Sequence, residues 1–154
     1  MDEPRSLGGR PPDPFCEARQ PRRRSPETTY LQSALQAAHS ARELQKNGDY
    51  DGTCNRAYYA VFYAALGLFE MSGDETAGKT HRSILRRFSE RFVLSGEAAP
   101  EVGRAFTVAQ SLRSTADYSA KGASAGDAVE AIAAMKVILE FAGPLLDPAA
   151  DHKD

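Results

Sequence analysis

Asp51 to Ser72 reads DGTCNRAYYAVFYAALGLFEMS, and its pattern decides the fold. The stretch has no proline, is long enough for about six helical turns, and is followed by Gly73, the residue type that ends helices in the left-handed conformation. On a wheel of about 100° per residue, Cys54, Ala57, Tyr58, Val61, Phe62, Ala64, Ala65, Leu68 and Phe69 share one broad arc. The opposite arc carries Asn55, Arg56, Tyr59, Tyr63 and Glu70, with Leu66 and Gly67 among them. The spacing therefore predicts a helix buried over most of its girth, with one narrow polar seam. The polar ends of an arginine and two tyrosines along such a seam need partners. A neighbouring helix, a second subunit or a ligand has to supply them.

Working outward, the chain of 154 residues is long enough for one domain with one hydrophobic core. Charged residues make up 26% and hydrophobic ones 42%, an ordinary balance for a soluble protein. A formal charge of −2 makes no global electrostatic case for nucleic acid, so any such contact has to come from a local patch. Cys16 and Cys54 do not form a disulfide framework and are expected to be reduced thiols in a cytoplasmic protein. His39, His81 and His152 are scattered without metal-ligand spacing, and no cofactor motif is present. The apolar run from Ala57 to Phe69 is interrupted by tyrosines and too short to span a bilayer. No export signal is expected, because charges begin at the second residue and no apolar core follows.

Residues 1–27 hold six of the nine prolines and the triplet Arg22-Arg23-Arg24, with almost no aliphatic bulk. Such a segment cannot offset its ordering entropy by burial, so it is expected to be a disordered tail, as are residues 147–154. Between them lies the helical domain, residues 28–146. Thr28 or Thr29 suits the cap of a first helix over about Tyr30 to Lys46, with the stripe Leu31, Ala34, Leu35, Ala38, Ala41 and Leu44. Asn47-Gly48 stops it and Asp51 caps the central helix, so the two are expected to be antiparallel neighbours. A third helix is expected over about Thr80 to Leu94, burying His81, Ile84, Leu85, Phe88 and Phe92, with Arg82, Arg86, Arg87 and Arg91 on its other sides. Pro100 opens a fourth helix running to about Ala120, with Arg113 and Asp117 on the margin of its buried face. Ser124 with Asp127 resembles a capping box for a fifth helix, which Gly143-Pro144 is expected to close at about Ala142. No segment alternates as a strand does. The expected fold is all-α, an antiparallel bundle of about five helices.

Three polar constellations are candidates for chemistry. Asn55, Arg56, Tyr59 and Tyr63 combine a planar donor fork suited to phosphate with hydroxyls and stacking faces. The alternative is that Arg56 pairs inside the bundle with Asp117 or Glu70. His81, at the start of the third helix and within its apolar stripe, is placed to act as a neutral base or as a hydrogen-bonded core residue. Arg113 and Asp117 stand four apart, the spacing of a helix salt bridge, here at the edge of a buried face.

Taken together, GDYDGTCNRAYYAVFYAALGLF, KTHRSILRRFSERFV and LRSTADYSA resemble the HEPN domain family, and within it the small stand-alone prokaryotic branch. The resemblance covers about Ser33 to Leu146. It implies a HEPN-like helical bundle that homodimerises and acts as the toxin of a toxin–antitoxin pair, with a minimal nucleotidyltransferase as antitoxin. It also implies metal-independent cleavage of RNA by an arginine and a histidine separated by four to six residues. Arg56 matches that arginine, and Asn55 the polar residue before it; the histidine's position is held by Tyr63, and a Thr-His pair follows at Thr80-His81. The implied catalytic set is thus Arg56, Tyr63 and His81, beside a phosphate or nucleotide subsite of Asn55, Arg56, Tyr59 and Arg113. With an ordinary pKa of about 10, a tyrosine is a poor base near neutrality. That departure favours binding over cleavage, and leaves a catalytically inactive nucleotide-binding or protein-interaction module as the alternative.

Overall fold

The computed structural model describes residues 29–73 and 81–147. Its helices are α1 (Tyr30–Lys46), α2 (Tyr50–Ser72), α3 (His81–Phe88, continued by a π-helical turn over Ser89–Val93), α4 (Pro100–Tyr118) and α5 (Ala125–Leu146). Among the described residues there is no strand, so the all-α bundle stands as expected. The tail 1–27 and Thr80 lie outside the described residues, as does all of the expected C-terminal tail except Asp147. No helix among the described residues is long and apolar enough to cross a membrane.

Local chemistry sets most helix ends. Thr29 and Gln32 form a reciprocal capping box, Thr29 Oγ1 accepting from the Gln32 amide at 3.0 Å and Gln32 Oε1 from the Thr29 amide at 2.9 Å. Ser124 and Asp127 do the same for α5, at 3.1 and 3.0 Å. The cap of α2 is Asp49 rather than Asp51: its Oδ1 accepts from the Gly52 amide at 2.8 Å. Asp51 falls in the first turn and is freed to point out of the helix, where its Oδ1 accepts from the Ala123 amide at 2.6 Å. That bond ties the start of α2 to the start of α5. Gly122 has to be glycine there, since its φ is +73° and a Cβ would lie 2.8 Å from the Asp51 carboxylate.

Helix α2 is the hub, packed against α1, α3, α4 and α5. The face of α1 differs from the expected stripe: Ala34, Ala37, Ala38 and Ala41 are buried, Leu31 and Leu44 are half-buried, and Leu35 is 51% exposed. Four alanines let the helix backbone come close to its neighbours, and a seam built on them leaves Leu35 to one side. The expected α-helix over Thr80 to Leu94 instead ends in a π turn, in which the Leu94 amide donates to the Ser89 carbonyl at 2.8 Å. Apolar residues four apart fall on nearly the same side in either geometry, so the stripe alone does not separate them. Gly143-Pro144 does not close α5 either. Pro144 removes one helical bond, but only Leu145 and Leu146 follow it in the helix, and Leu146 packs into the core beside Gly67 and Tyr30.

Candidate functional site

Apart from the exposed Glu70 at its far end, the polar seam of α2 opens mainly near its start. Asn55 and Arg56 are half-buried, whereas Tyr59 is 1% exposed and Leu66 5%. Tyr63 is half-buried and stacks on Tyr30 of α1, ring centroids 6.5 Å apart. At Gly67 the seam meets Leu146 and the Tyr30 side chain, within 3.2 Å of where a Cβ would stand. Tyr59, expected on the polar seam with a partner for its hydroxyl, is therefore covered by the bundle itself. A tyrosine ring carries enough apolar area to be drawn under a neighbouring helix even when its hydroxyl gains no partner.

Arg56 is held locally. Its Nε and Nη2 donate to Asn55 Oδ1 at 3.2 and 3.1 Å, and its guanidinium lies 5.0 Å from the centroid of the Tyr59 ring. Neither internal carboxylate weighed for it is its partner, because Asp117 pairs with Arg113 instead, and Arg56 makes no ion pair among the described residues. The Arg113 Nε–Asp117 Oδ2 distance is 3.0 Å, with the side chains 9% and 16% exposed, so this is a largely desolvated pair. Arg113 also lies over Tyr58 at 5.3 Å and Tyr59 at 5.8 Å. Two guanidiniums, one from α2 and one from α4, thus flank the same tyrosine.

His81 joins this cluster from α3. Its ring stacks on Phe62 at 4.5 Å, and its Nδ1 shares a 2.8 Å hydrogen bond with Tyr58 Oη. It also meets the Tyr59 ring at 5.8 Å. Arg56 and His81 therefore lie against one tyrosine, and no hydrogen bond joins them to each other. Sequence reasoning placed Tyr58 in the apolar arc and missed its part in the site; the available signal was a phenol within a buried arc, which needs a partner for its hydroxyl. Three buried polar atoms of the cluster, Tyr59 Oη, Arg113 Nε and Asp117 Oδ2, lack an aligned hydrogen bond among the described residues. For Arg113 and Asp117 the ion pair remains, since attraction between charges tolerates angles that a hydrogen bond does not. Tyr59 Oη has no such substitute.

Burial drives the electrostatics. The Tyr59 phenol is pushed up to about 12 by burial, against the downward pull of Arg113 and Arg56. Tyr58 is raised by burial against the pull of Arg113, and the Cys54 thiol is pushed up to about 11 by burial and by Asp127, Asp51 and Asp117. Each folded pKa lies above its unfolded value, so the fold binds more protons than the unfolded chain at alkaline pH. Their contribution is intact below about pH 9 and is lost as pH rises through 11 and 12. Urea denaturation should give constant stability from pH 7 to 9 and a fall of about 1–3 kcal/mol by pH 11. A flat profile to pH 11 would show these groups to be solvated.

No group of three His, Cys, Asp or Glu residues is placed to hold a metal among the described residues. A family model, the HEPN domain, matches residues 28–145. The chain belongs to the HEPN domain family. A UPF0332 protein of Thermotoga maritima is 31% identical to it over 85 residues, 55% of this chain. The match spans 63% of that relative's length. No solved structure matches the chain. In this HEPN domain Arg56 stands near the start of the α2 seam, and Tyr63 stacks on Tyr30 of α1.

Proposed function

We propose that this HEPN protein is of the toxin–antitoxin type and binds RNA or nucleotide phosphate at the open end of the α2 seam. One observation carries the reading: Arg56 is half-buried and oriented by Asn55 and Tyr59, yet has no carboxylate partner among the described residues. A guanidinium has five N–H donors. Two groups of Arg56 serve Asn55, which leaves donors for a phosphate, and a partly desolvated, unneutralised cation gains most from an anion. Asn55 and Tyr59 act as its positioning groups. Arg113 is engaged with Asp117, so its part is to hold the Tyr59 ring in place rather than to grip the ligand.

Binding is better supported than cleavage. Tyr63 is occupied with Tyr30, and His81 bonds to Tyr58 rather than standing beside Arg56. Metal-independent cleavage is the second reading, favoured by the convergence of Arg56 and His81 on the Tyr59 ring. The chain forms a homodimer whose interface includes the α2 seam beside Arg56, and a minimal nucleotidyltransferase serves as antitoxin. Light scattering at micromolar concentration should return twice the mass of the chain; the monomer mass would exclude the homodimer.

Arg56→Lys tests the phosphate reading, because lysine keeps the charge and loses the fork. RNA affinity should fall about tenfold or more, and toxicity on expression should fall with it. Stability should change by less than about 0.5 kcal/mol, since no ion pair is broken. Unchanged affinity and toxicity in a folded variant would sink the reading. Tyr63→His is the complementary variant: it should raise ribonuclease activity if the rest of the site can support cleavage.

A further inference from the structure

We propose that the solvent face of α3 is a docking track for the phosphate backbone of single-stranded RNA, extending beyond the Arg56 site and resting on the same phosphate reading. Residues 81–93 carry Arg82, Arg86, Arg87 and Arg91 against one acid, Glu90, although the whole chain has a formal charge of −2. The fold accounts for the other side of this helix, where Ile84, Phe88 and Phe92 are buried. It also engages part of the charge, since Arg91 pairs with Glu97 and the half-buried Arg87 has a partner of its own. Arg82 and Arg86 remain. Both are exposed, and neither makes an ion pair or hydrogen bond among the described residues.

Four residues separate them, so they are neighbours on one face, about 6 Å apart along the axis. Like charges at that spacing repel and weaken a helix. Neither charge is used in an ion pair among the described residues, and an anion with charges repeated at a similar interval relieves the repulsion. An RNA strand supplies that repeat. Two exposed cations elsewhere are matched locally, in the pairs Lys46–Glu43 and Arg104–Glu101.

Position links the track to the seam. His81, immediately before Arg82, is anchored to Phe62 and Tyr58 of α2 and meets the Tyr59 ring that Arg56 covers. The two arginines thus begin at the end of the bundle where the seam opens. A strand held at Arg56 is positioned to continue over Arg82 and Arg86, and Glu90 marks the far end of the basic face.

The test is fluorescence anisotropy with a labelled 12-nucleotide single-stranded RNA and a trinucleotide, between 50 and 200 mM salt. R82Q/R86Q, Arg56→Lys and the unmodified chain are compared, with polyglutamate as competitor. R82Q/R86Q should keep or raise the melting temperature and leave trinucleotide binding unchanged. Its 12-mer affinity at 50 mM salt should fall at least tenfold, and its salt slope should flatten by about 1.4, two contacts at about 0.7 each. An unchanged affinity and slope in R82Q/R86Q, with binding lost in Arg56→Lys, overturns the track and leaves the seam reading standing. The converse pattern keeps the track and removes the seam. Displacement of the 12-mer by polyglutamate at equal charge would assign the face to an acidic protein and overturn the proposal. A chain that binds no 12-mer overturns both.

Discussion

Asp117→Asn should destabilise the protein by about 3–5 kcal/mol, the cost of leaving one member of a buried ion pair without its counter-charge. Arg113 and Asp117 are 9% and 16% exposed and 3.0 Å apart, so water cannot replace the lost carboxylate. Arg113 would remain against the Tyr58 and Tyr59 rings, which attract a cation far more weakly than a carboxylate does. Removing both charges is a different experiment. Arg113→Met with Asp117→Leu should come close to neutral, because no unpaired charge is left and the desolvation of both ions is avoided. Urea denaturation with an unchanged m-value measures both variants. A loss below about 1 kcal/mol for Asp117→Asn would mean that solvent reaches the pair.

The second large effect is expected at Phe88, where the aromatic core joins α3 to the rest of the bundle. Its ring lies 5.1 Å from Phe92, 5.1 Å from Phe106 of α4 and 6.2 Å from Phe141 of α5. Phe92 in turn meets Phe69 of α2 at 5.8 Å. Phe88→Ala should cost about 3–5 kcal/mol, combining lost burial with a cavity that a π turn on one side and two helices on the other cannot close. Phe88→Leu should cost about 1.5 kcal/mol or less, as it keeps most of the volume. Leu94, at 79% exposure, is the control: Leu94→Ala should change stability by less than about 0.5 kcal/mol. Phe88→Ala should also loosen the anchoring of His81, seven residues earlier on α3. The 2.8 Å bond to Tyr58 would then show a weakened histidine signal by NMR before global unfolding. Equal losses for Phe88→Ala and Phe88→Leu would show that the cavity is refilled.

What the sequence by itself determined was local. The five helices, the capping box at Ser124 and Asp127, the choice of Thr29 as one of two possible caps, and the glycine stops at Gly48 and Gly73 follow from interactions within about four residues. So do the Asn55–Arg56 contact and the Arg113–Asp117 pair, the two parts of the site that one helix can make alone. The tertiary structure decided everything that depends on how far each helix is rotated and slid against its neighbours. The alanine face of α1 left Leu35 outside and covered Tyr63, and packing drew Tyr59 fully inside without a partner for its hydroxyl. Burial of Leu146 carried α5 past Pro144. Tyr58 met His81 across 23 residues, and Asp51 met Ala123 across 72. A hydrophobic stripe determines which side of a helix turns inward to within a residue or so. A hydrogen bond needs its atoms placed within a few tenths of an ångström, and only packing of whole helices sets positions that finely.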